Sequence, residues 1–280
     1  PKRSVSTVKQ AIYNWFKNGT SISVLNMPFE SWGNNGTHNV SNISKDYSGY
    51  EYNGTVNGAI WNSTGGYDGK GAYQFDGDGD SILTADNLFK NDTFDSDGMT
   101  VSLYFKADSL IHNSHLFSMQ GRVKLILQSN YLYCQVYDNT SSWQQARSSS
   151  AISSDTWYHA VFVADSNGDV LLYLNGVLQS VSDTMGTFNI EVAGRALALG
   201  SEYSTNNEFN GTIDEVQIWN RTLSVEQIKA LYNNKTDLIV AEETNAGDVW
   251  NVSITPNDGV EDGITKTSNS ITILNTAPTH

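Results

Sequence analysis

The run from Phe209 to Tyr232, FNGTIDEVQIWNRTLSVEQIKALY, constrains the fold more than any other stretch, because an alternating strand passes directly into a capped helix. Ile213, Glu215, Gln217 and Trp219 take one side of that strand and Asp214, Val216 and Ile218 the other, a period of two that belongs to a sheet. Then the period changes. Ser224 is an N-cap with Gln227 placed to close a capping box, and Val225, Ile228, Leu231 and Tyr232 form an apolar stripe at helical spacing. Such a segment joins one strand directly to one short helix.

Composition leaves little room for other helices. Among 280 residues there are 23 Gly, 14 Tyr and 7 Trp, and only 16% are charged, which suits turns and aromatic-rich strands. That length accommodates one large β domain and a smaller one. The formal net charge of -14 repels phosphate backbones, so nucleic acid is not expected as a partner, whereas cations suit the sign. The single Cys134, between Tyr133 and Gln135, allows no disulfide within the chain and reads as a core thiol. No run reaches the roughly 20 apolar residues of a membrane span, and Pro1-Lys-Arg-Ser is no signal peptide. No membrane contact is expected of this chain, and any export signal or anchor is expected outside it.

Strand and turn signals repeat from Leu25 to Asn234. The segments 46–58 (DYSGYEYNGTVNG) and 65–77 (GGYDGKGAYQFDG) put glycines where tight turns need positive φ. Residues 99–107 (MTVSLYFKA) are an uninterrupted strand, and 155–164, a turn at 165–169, and 170–178 give two successive hairpins. In this order, and with the strand-to-helix close, these segments resemble the laminin-G-like domains of the concanavalin A-like lectin/glucanase superfamily. The resemblance implies an all-β fold: an antiparallel jelly-roll sandwich over 25–236 with one short C-terminal helix, a scaffold used for sugar, protein and cation binding.

Because that superfamily includes glucanases, catalysis has to be weighed. A retaining glycosidase needs two carboxylates about 5 Å apart, which acids at alternate positions of one strand supply. Around Asp214 the alternate positions are Thr212 and Val216, with Glu215 expected on the opposite side, so the pair is not expected to form. His112 and His115 fall in an expected loop without a neighbouring nucleophile, and His159 in a strand, so all read as structural. An enzyme is not expected.

The resemblance also implies a structural Ca²⁺, since many such domains carry one, bound by hard oxygens. Candidate ligands are Glu30, Asp46, Asp76 and Asp80 of the turn 76–80 (DGDGD), and Asp214. An EF-hand is excluded because its downstream Gly and Glu are missing, and Asp-Gly turns of this kind also occur as ordinary hairpins, just as Asp214 could hydrogen-bond a turn backbone. Carbohydrate is the other inherited expectation. Trp32, Trp61 and Trp143 lie in Gly/Asn/Ser-rich surroundings where an exposed ring could stack on a sugar, whereas Trp157, Trp219 and Trp250 alternate within strands as core residues.

Glycosylation sequons begin at Asn18, Asn35, Asn39, Asn42, Asn53, Asn62, Asn91, Asn139, Asn210, Asn220, Asn234 and Asn251, more than composition supplies by chance. Turn chemistry accounts equally for Asn53 and Asn210. Together with the turn- and aromatic-rich composition they point to an extracellular or cell-surface glycoprotein. The two ends add a second domain. Residues 11–20 (AIYNWFKNGT) resemble the third strand of an immunoglobulin-like domain with Trp15 inward, while 246–259 and 268–274 resemble its last two strands, Trp250, Val252 and Ile254 facing inward. The expected organisation is a jelly roll inserted in a split immunoglobulin-like domain, 1–24 with 237–276. Residues 275–280 resemble the linker to a next module in long microbial, archaeal-type surface proteins.

Some ten residues before Ala11 are too few for the usual first strands, so an open sheet edge is expected. A β-segment from another copy or a neighbouring module, Lys2 to Gln10 or Ser268 to Thr279, would fill it and extend a filament; missing strands just upstream would do so equally. The reading is therefore a non-enzymatic structural or adhesive module, with a carbohydrate-binding lectin as the alternative and a glycosidase further off.

Overall fold

The computed structural model describes residues 7–31, 42–84, 98–110, 113–119, 122–137, 142–165, 167–182, 196–202 and 207–274. They form three antiparallel sheets. One eight-stranded sheet runs, edge to edge, β13 (Trp143–Arg147), β12 (Tyr131–Tyr137), β11 (Val123–Gln128), β10 (Ser114–Met119), β17 (Leu197–Leu199), β8 (Ser81–Thr84), β5 (Gly54–Asn57) and β4 (Ile43–Ser44). The other runs β16 (Val177–Ser182), β15 (Val170–Leu174), β14 (Trp157–Ala164), β9 (Met99–Ala107), β18 (Asn210–Trp219), β7 (Ala72–Asp76) and β6 (Ile60–Asn62), with β3 (Leu25–Met27) also on β18. Face to face they make the expected all-β jelly roll. The sole α-helix among the described residues, α1 (Val225–Tyr232), follows β18.

Alternation dictates the core. On β9, Val101, Leu103, Phe105 and Ala107 point between the sheets with Phe162, Phe117, Leu125, Leu199 and Phe209, all essentially without exposure. The opposite face of the second sheet carries Val161, Val163 and Trp219, which Ile228 and Leu231 of α1 cover. Each large side chain sealed this way contributes about 1.5–3 kcal/mol. Cys134 is wholly buried in the main core, where loss of hydration pushes its thiol up to about 12, so it is the inert core thiol expected.

Helix α1 is capped as expected at Ser224, whose Oγ accepts Gln227 N–H at 3.2 Å, but the box does not close on Gln227. Glu243 takes the Ser224 amide at 2.7 Å while Gln227 Oε1 accepts Val240 N–H at 3.2 Å, so the partners come from the segment after the helix. Val225 is exposed rather than part of the packed stripe. At the other end Tyr104 Oη donates to the carbonyls of Leu231 and Tyr232 at 3.0 and 2.6 Å, satisfying groups a helix end leaves free.

The flanking segments meet in the third sheet, ordered β2 (Thr20–Ser21), β1 (Gln10–Lys17), β19 (Val249–Asn257) and β20 (Lys266–Thr267), with β21 (Ile271–Thr272) also on β19. Among the described residues it is a single sheet, not a two-sheet sandwich. Trp250 and Val252 are buried as expected, but Ile254 is half-buried and the buried set continues as Thr255 and Asn257. Polar contacts seat this sheet on the jelly roll. Asn14 Nδ2 donates to Ser48 O at 2.9 Å, Trp15 Nε1 to Thr236 O at 3.0 Å, and Asp262 takes both Lys45 Nζ at 2.6 Å and Tyr47 Oη at 2.9 Å.

The free edges of β13 and β16 lie side by side and are stitched by side chains. Ser180 Oγ accepts Arg147 N–H at 2.7 Å and donates to Arg147 O at 2.8 Å, and Gln179 Oε1 accepts both the amide and the hydroxyl of Ser149.

Candidate metal centre and aromatic face

Strand β18 does not keep its period. Its register with β9 jumps between Asp214, opposite Tyr104, and Gln217, opposite Ser102, and Glu215 within that bulge takes φ 51°. One extra residue reverses the phase, so Ile213 joins Val216 and Ile218 in the core, and Glu215 turns toward the side where Asp214 sits. The sequence expectation that Glu215 lies away from any acidic partner is overturned by this bulge. Phe29, at φ 61°, makes a similar turn immediately before Glu30. Left-handed conformations are costly for residues of this size, and two of them aim carboxylates at one place.

There, Glu30, Asp68 and Glu215 each offer a carboxylate oxygen within 4.8 Å of the other two. Asp214 lies beside them, almost fully buried, and accepts the amides of Tyr67 and Glu215, both at 2.9 Å. Glu30 Oε2 accepts Gln10 Nε2 at 2.8 Å and Gly71 N–H at 3.1 Å, and Gln10 also donates to Asn257 Oδ1 at 3.1 Å. The one cation in the group is Lys70, paired with Asp68 and 3.8 Å from Glu30 Oε1. Gly66 is required here: a Cβ on it would fall 2.6 Å from Asp214 Oδ2, 2.8 Å from Gly71 O and 3.1 Å from Lys70 O. A polar cleft of about 240 Å³, bordered by Tyr13, Pro28, Gln217 and Thr236, opens from Glu30 and Glu215 along the edge of β1.

The electrostatics are those of crowded anions. Burial, then the charge of Asp68, pushes Glu30 up to about 7. Burial also raises Asp214 and Glu215 well above the carboxylate range, helped by the charges of Glu30 and Asp214 respectively. Burial disfavours the Lys70 ammonium, but its hydrogen bond and charge contact with Asp68 prevail and raise it. Four carboxylates against one ammonium leave the group short of positive charge. The converging carboxylate oxygens of Glu30, Asp68 and Glu215 are hard donors of the kind that Ca²⁺ takes.

Of the sequence candidates, Glu30 and Asp214 meet at this centre. Asp46 is elsewhere engaged, accepting from Asn26, Ser48 and Tyr52 amides and the Ser48 hydroxyl. Asp76 and Asp80 hold the β7–β8 turn, Asp80 taking the Asp76 amide at 2.7 Å and Asp76 that of Asp78 at 2.8 Å. Asp68 and Glu215 escaped sequence reading, the first as one acid of a turn, the second through the unmarked bulge. His115 lies on β10 rather than in a loop, while His112 falls outside the described residues. His159 is sealed, its Nε2 2.8 Å from Ser102 Oγ, and burial lowers it to about 3.

The tryptophans separate. Trp32 lies outside the described residues, and Trp61 packs on the core with Nε1 donating to Phe29 O at 2.7 Å. Trp143 is 43% exposed. It stands on the outer face of β13, edge-on to Tyr137 at 5.2 Å, with Lys124 Nζ 5.2 Å above its ring. Among the sequons, Asn18, Asn42 and Asn53 are exposed, Asn62, Asn210, Asn220, Asn234 and Asn251 half-buried, and Asn35, Asn39, Asn91 and Asn139 outside the described residues.

Comparison with known proteins agrees with the architecture. Residues 75–229 match the Laminin_G_3 model of the concanavalin A-like lectin/glucanases superfamily. No curated protein matches the chain. Similar structures include the binding domain of Paraclostridial Mosquitocidal Protein 1, 20% identical with TM-score 0.57 over 76% of this chain and 52% of that one. The botulinum neurotoxin serotype D binding domain is 15% identical, TM-score 0.56, over 76% and 52%. Domain 4 of AbnA, a GH43 extracellular arabinanase from Geobacillus stearothermophilus solved with arabinotriose, is 21% identical, TM-score 0.56, over 75% and 98%. The chain thus spans about half the length of the toxin chains, 52%, and nearly all of the arabinanase domain, 98%. These identities speak for the fold alone. With its two facing sheets, its closing helix and a family match across more than half its length, the chain belongs to the concanavalin A-like lectin/glucanases superfamily.

Proposed function

We propose that this chain is a non-enzymatic extracellular module of a cell-surface glycoprotein, working by adhesion, with one structural calcium ion at the acidic centre. The observation that carries this reading is how that centre is engaged. Its carboxylates, among them Glu30 shortly after β3 and Asp214 on β18, are taken up by Gln10 of β1 and by Tyr67, Lys70 and Gly71 of the β6–β7 turn, so an ion there would fasten elements together. The cleft beside them, about 240 Å³, is smaller than the roughly 300–1,000 Å³ typical of substrate pockets. Glu30, Glu215, Asp214 and Asp68 would hold the ion with nearby carbonyls. The flanking sheet is read as part of a split immunoglobulin-like host domain of an archaeal-type surface protein, and several sequons as glycan sites. Calorimetric titration with Ca²⁺, repeated on Asp214→Asn, tests the reading: heat that survives the substitution places the ion elsewhere, and no heat removes it.

Two further readings each have an observation in favour. Carbohydrate recognition is supported by exposed Trp143, and by the arabinotriose complex of a protein of the same fold. Self-association by strand addition is supported by the open side of the small sheet, where β20 and β21 are two residues each and Ile264, Ile271 and Leu274 are 79%, 67% and 89% exposed. Material that stays monomeric by light scattering at high concentration eliminates the filament.

A further inference from the structure

The outer face of β11, β12 and β13 carries a pattern that structural stability does not require. Leu132, Cys134 and Val136 of β12 point into the core, which leaves Tyr131, Tyr133, Gln135 and Tyr137 outside. Pairing sets them in rows with their neighbours: Arg122, Tyr137 and Trp143; Lys124, Gln135 and Gln145; then Tyr133 and Arg147. From Tyr131 to Tyr137 the face extends about 20 Å at some 3.3 Å per residue. It is aromatic and half-exposed.

It is also cationic, in a chain whose net charge is -14. The Arg122 guanidinium lies 4.9 Å over the Tyr137 ring, Arg147 lies 4.8 Å over Tyr131, and Lys124 lies over Trp143. Among the described residues, Glu202 pairs with Lys124, while no ion pair holds Arg122 or Arg147. Arg147 also hydrogen-bonds the Tyr133 side chain, and a guanidinium is the group that meets a carboxylate by two parallel hydrogen bonds. Between them, Gln135 and Gln145, joined at 3.0 Å, retain amide donors and acceptors of the sort that read hydroxyls.

Planar rings spaced with carboxylate receptors fit one ligand class. We infer that this face binds a polysaccharide of uronic acids: a sugar ring stacks on Trp143, its hydroxyls meet Gln135 and Gln145, and carboxylates several residues apart along the polymer engage Arg122 and Arg147. The inference rests on the carbohydrate reading and makes it specific. Neutral arabinan or dextran would use the ring and the two glutamines but leave both guanidiniums unmatched. A sulfated polymer would satisfy the charge with no demand for the ring contact.

Affinity electrophoresis and calorimetry of the whole chain with oligogalacturonate, oligomannuronate, dextran and dextran sulfate test it. A uronate oligomer is expected to bind at least tenfold more tightly than dextran, and to weaken as salt rises from 50 to 500 mM. Trp143→Ala is expected to weaken uronate binding tenfold or more, and Arg122→Gln with Arg147→Gln to remove the preference over dextran, with melting temperatures unchanged. Dextran binding as well as uronate overturns the charged class while leaving carbohydrate recognition standing. Dextran sulfate binding that ignores Trp143→Ala, without uronate binding, leaves only a charge effect and overturns the inference. Binding to none of the four sinks the inference and the carbohydrate reading together.

Discussion

In the jelly roll, Leu103 and Phe105 lie between two sheets with no exposure, and Phe162 with 1%, whereas the small sheet buries only Ile12, Trp250 and Val252 among its large apolar side chains. It is instead seated by Gln10, Asn14 and Trp15 from one flank and by Asp262 from the other, all hydrogen-bonding to the jelly roll. Apolar burial is non-directional and sums over area; hydrogen bonds fix position while adding only about 1 kcal/mol each. One region is held by quantity and the other by geometry. The acidic centre lies where the two kinds of attachment meet, Glu30 at the end of a jelly-roll segment and Gln10 on β1.

The strongest challenge to this contrast is a cavity in the jelly roll. Phe105→Ala should destabilise the protein by about 3–5 kcal/mol in urea unfolding, and the small sheet should melt with it because its seat is lost. A small sheet that survives that transition would show independent stability.

Next in size is the cation. With EDTA, the carboxylates at the centre are protonated more readily folded than unfolded, so their contribution is greatest at low pH. It is lost as pH rises from the ordinary carboxylate range through about 7 for Glu30, by up to about 3 kcal/mol for that group. The EDTA-treated protein should therefore melt at a lower temperature at pH 7.5 than at pH 5. Saturating Ca²⁺ should restore about 3 kcal/mol at pH 7.5 and abolish that fall. Equal melting temperatures at both pH values under EDTA would remove the crowding on which the centre is built.

Breaking the seat comes third. Asp262→Ala should cost about 1–3 kcal/mol by leaving buried Tyr47 without that partner, and amide exchange should accelerate along β19 while β9 and β14 stay protected. Uniform acceleration would mean the regions open as one. Smallest is Ile271→Ser, within about 0.5 kcal/mol because that side chain is 67% exposed; a larger loss would mean that β21 is covered in solution.

Much of the jelly roll was legible because its signals are local: β12 alternates cleanly, Asn-Gly and Asp-Gly mark turns, and Ser224 announces α1. The centre was half legible. Glu30 and Asp214 stood out through family resemblance, yet their grouping depends on left-handed backbone at Phe29 and Glu215, where no glycine betrays it and tertiary packing imposes it. Asp68 comes near only because the turn at Gly66 folds against Asp214. Gln227 was misjudged for a related reason, since Glu243, nineteen positions from Ser224, outcompetes the local cap. The small sheet's polar seat had no sequence signal, hydrogen bonds between distant segments having no period.

Ser180 closes both the amide and the carbonyl of Arg147 with one hydroxyl, and Gln179 attends to Ser149 alongside. At this point of the seam the edge backbone at the end of β13 is already taken, so an incoming strand would find the Arg147 and Ser149 groups occupied. Two side chains thus do at this point what a further strand would do elsewhere, and the aromatic face beside them stays clear of strand addition there.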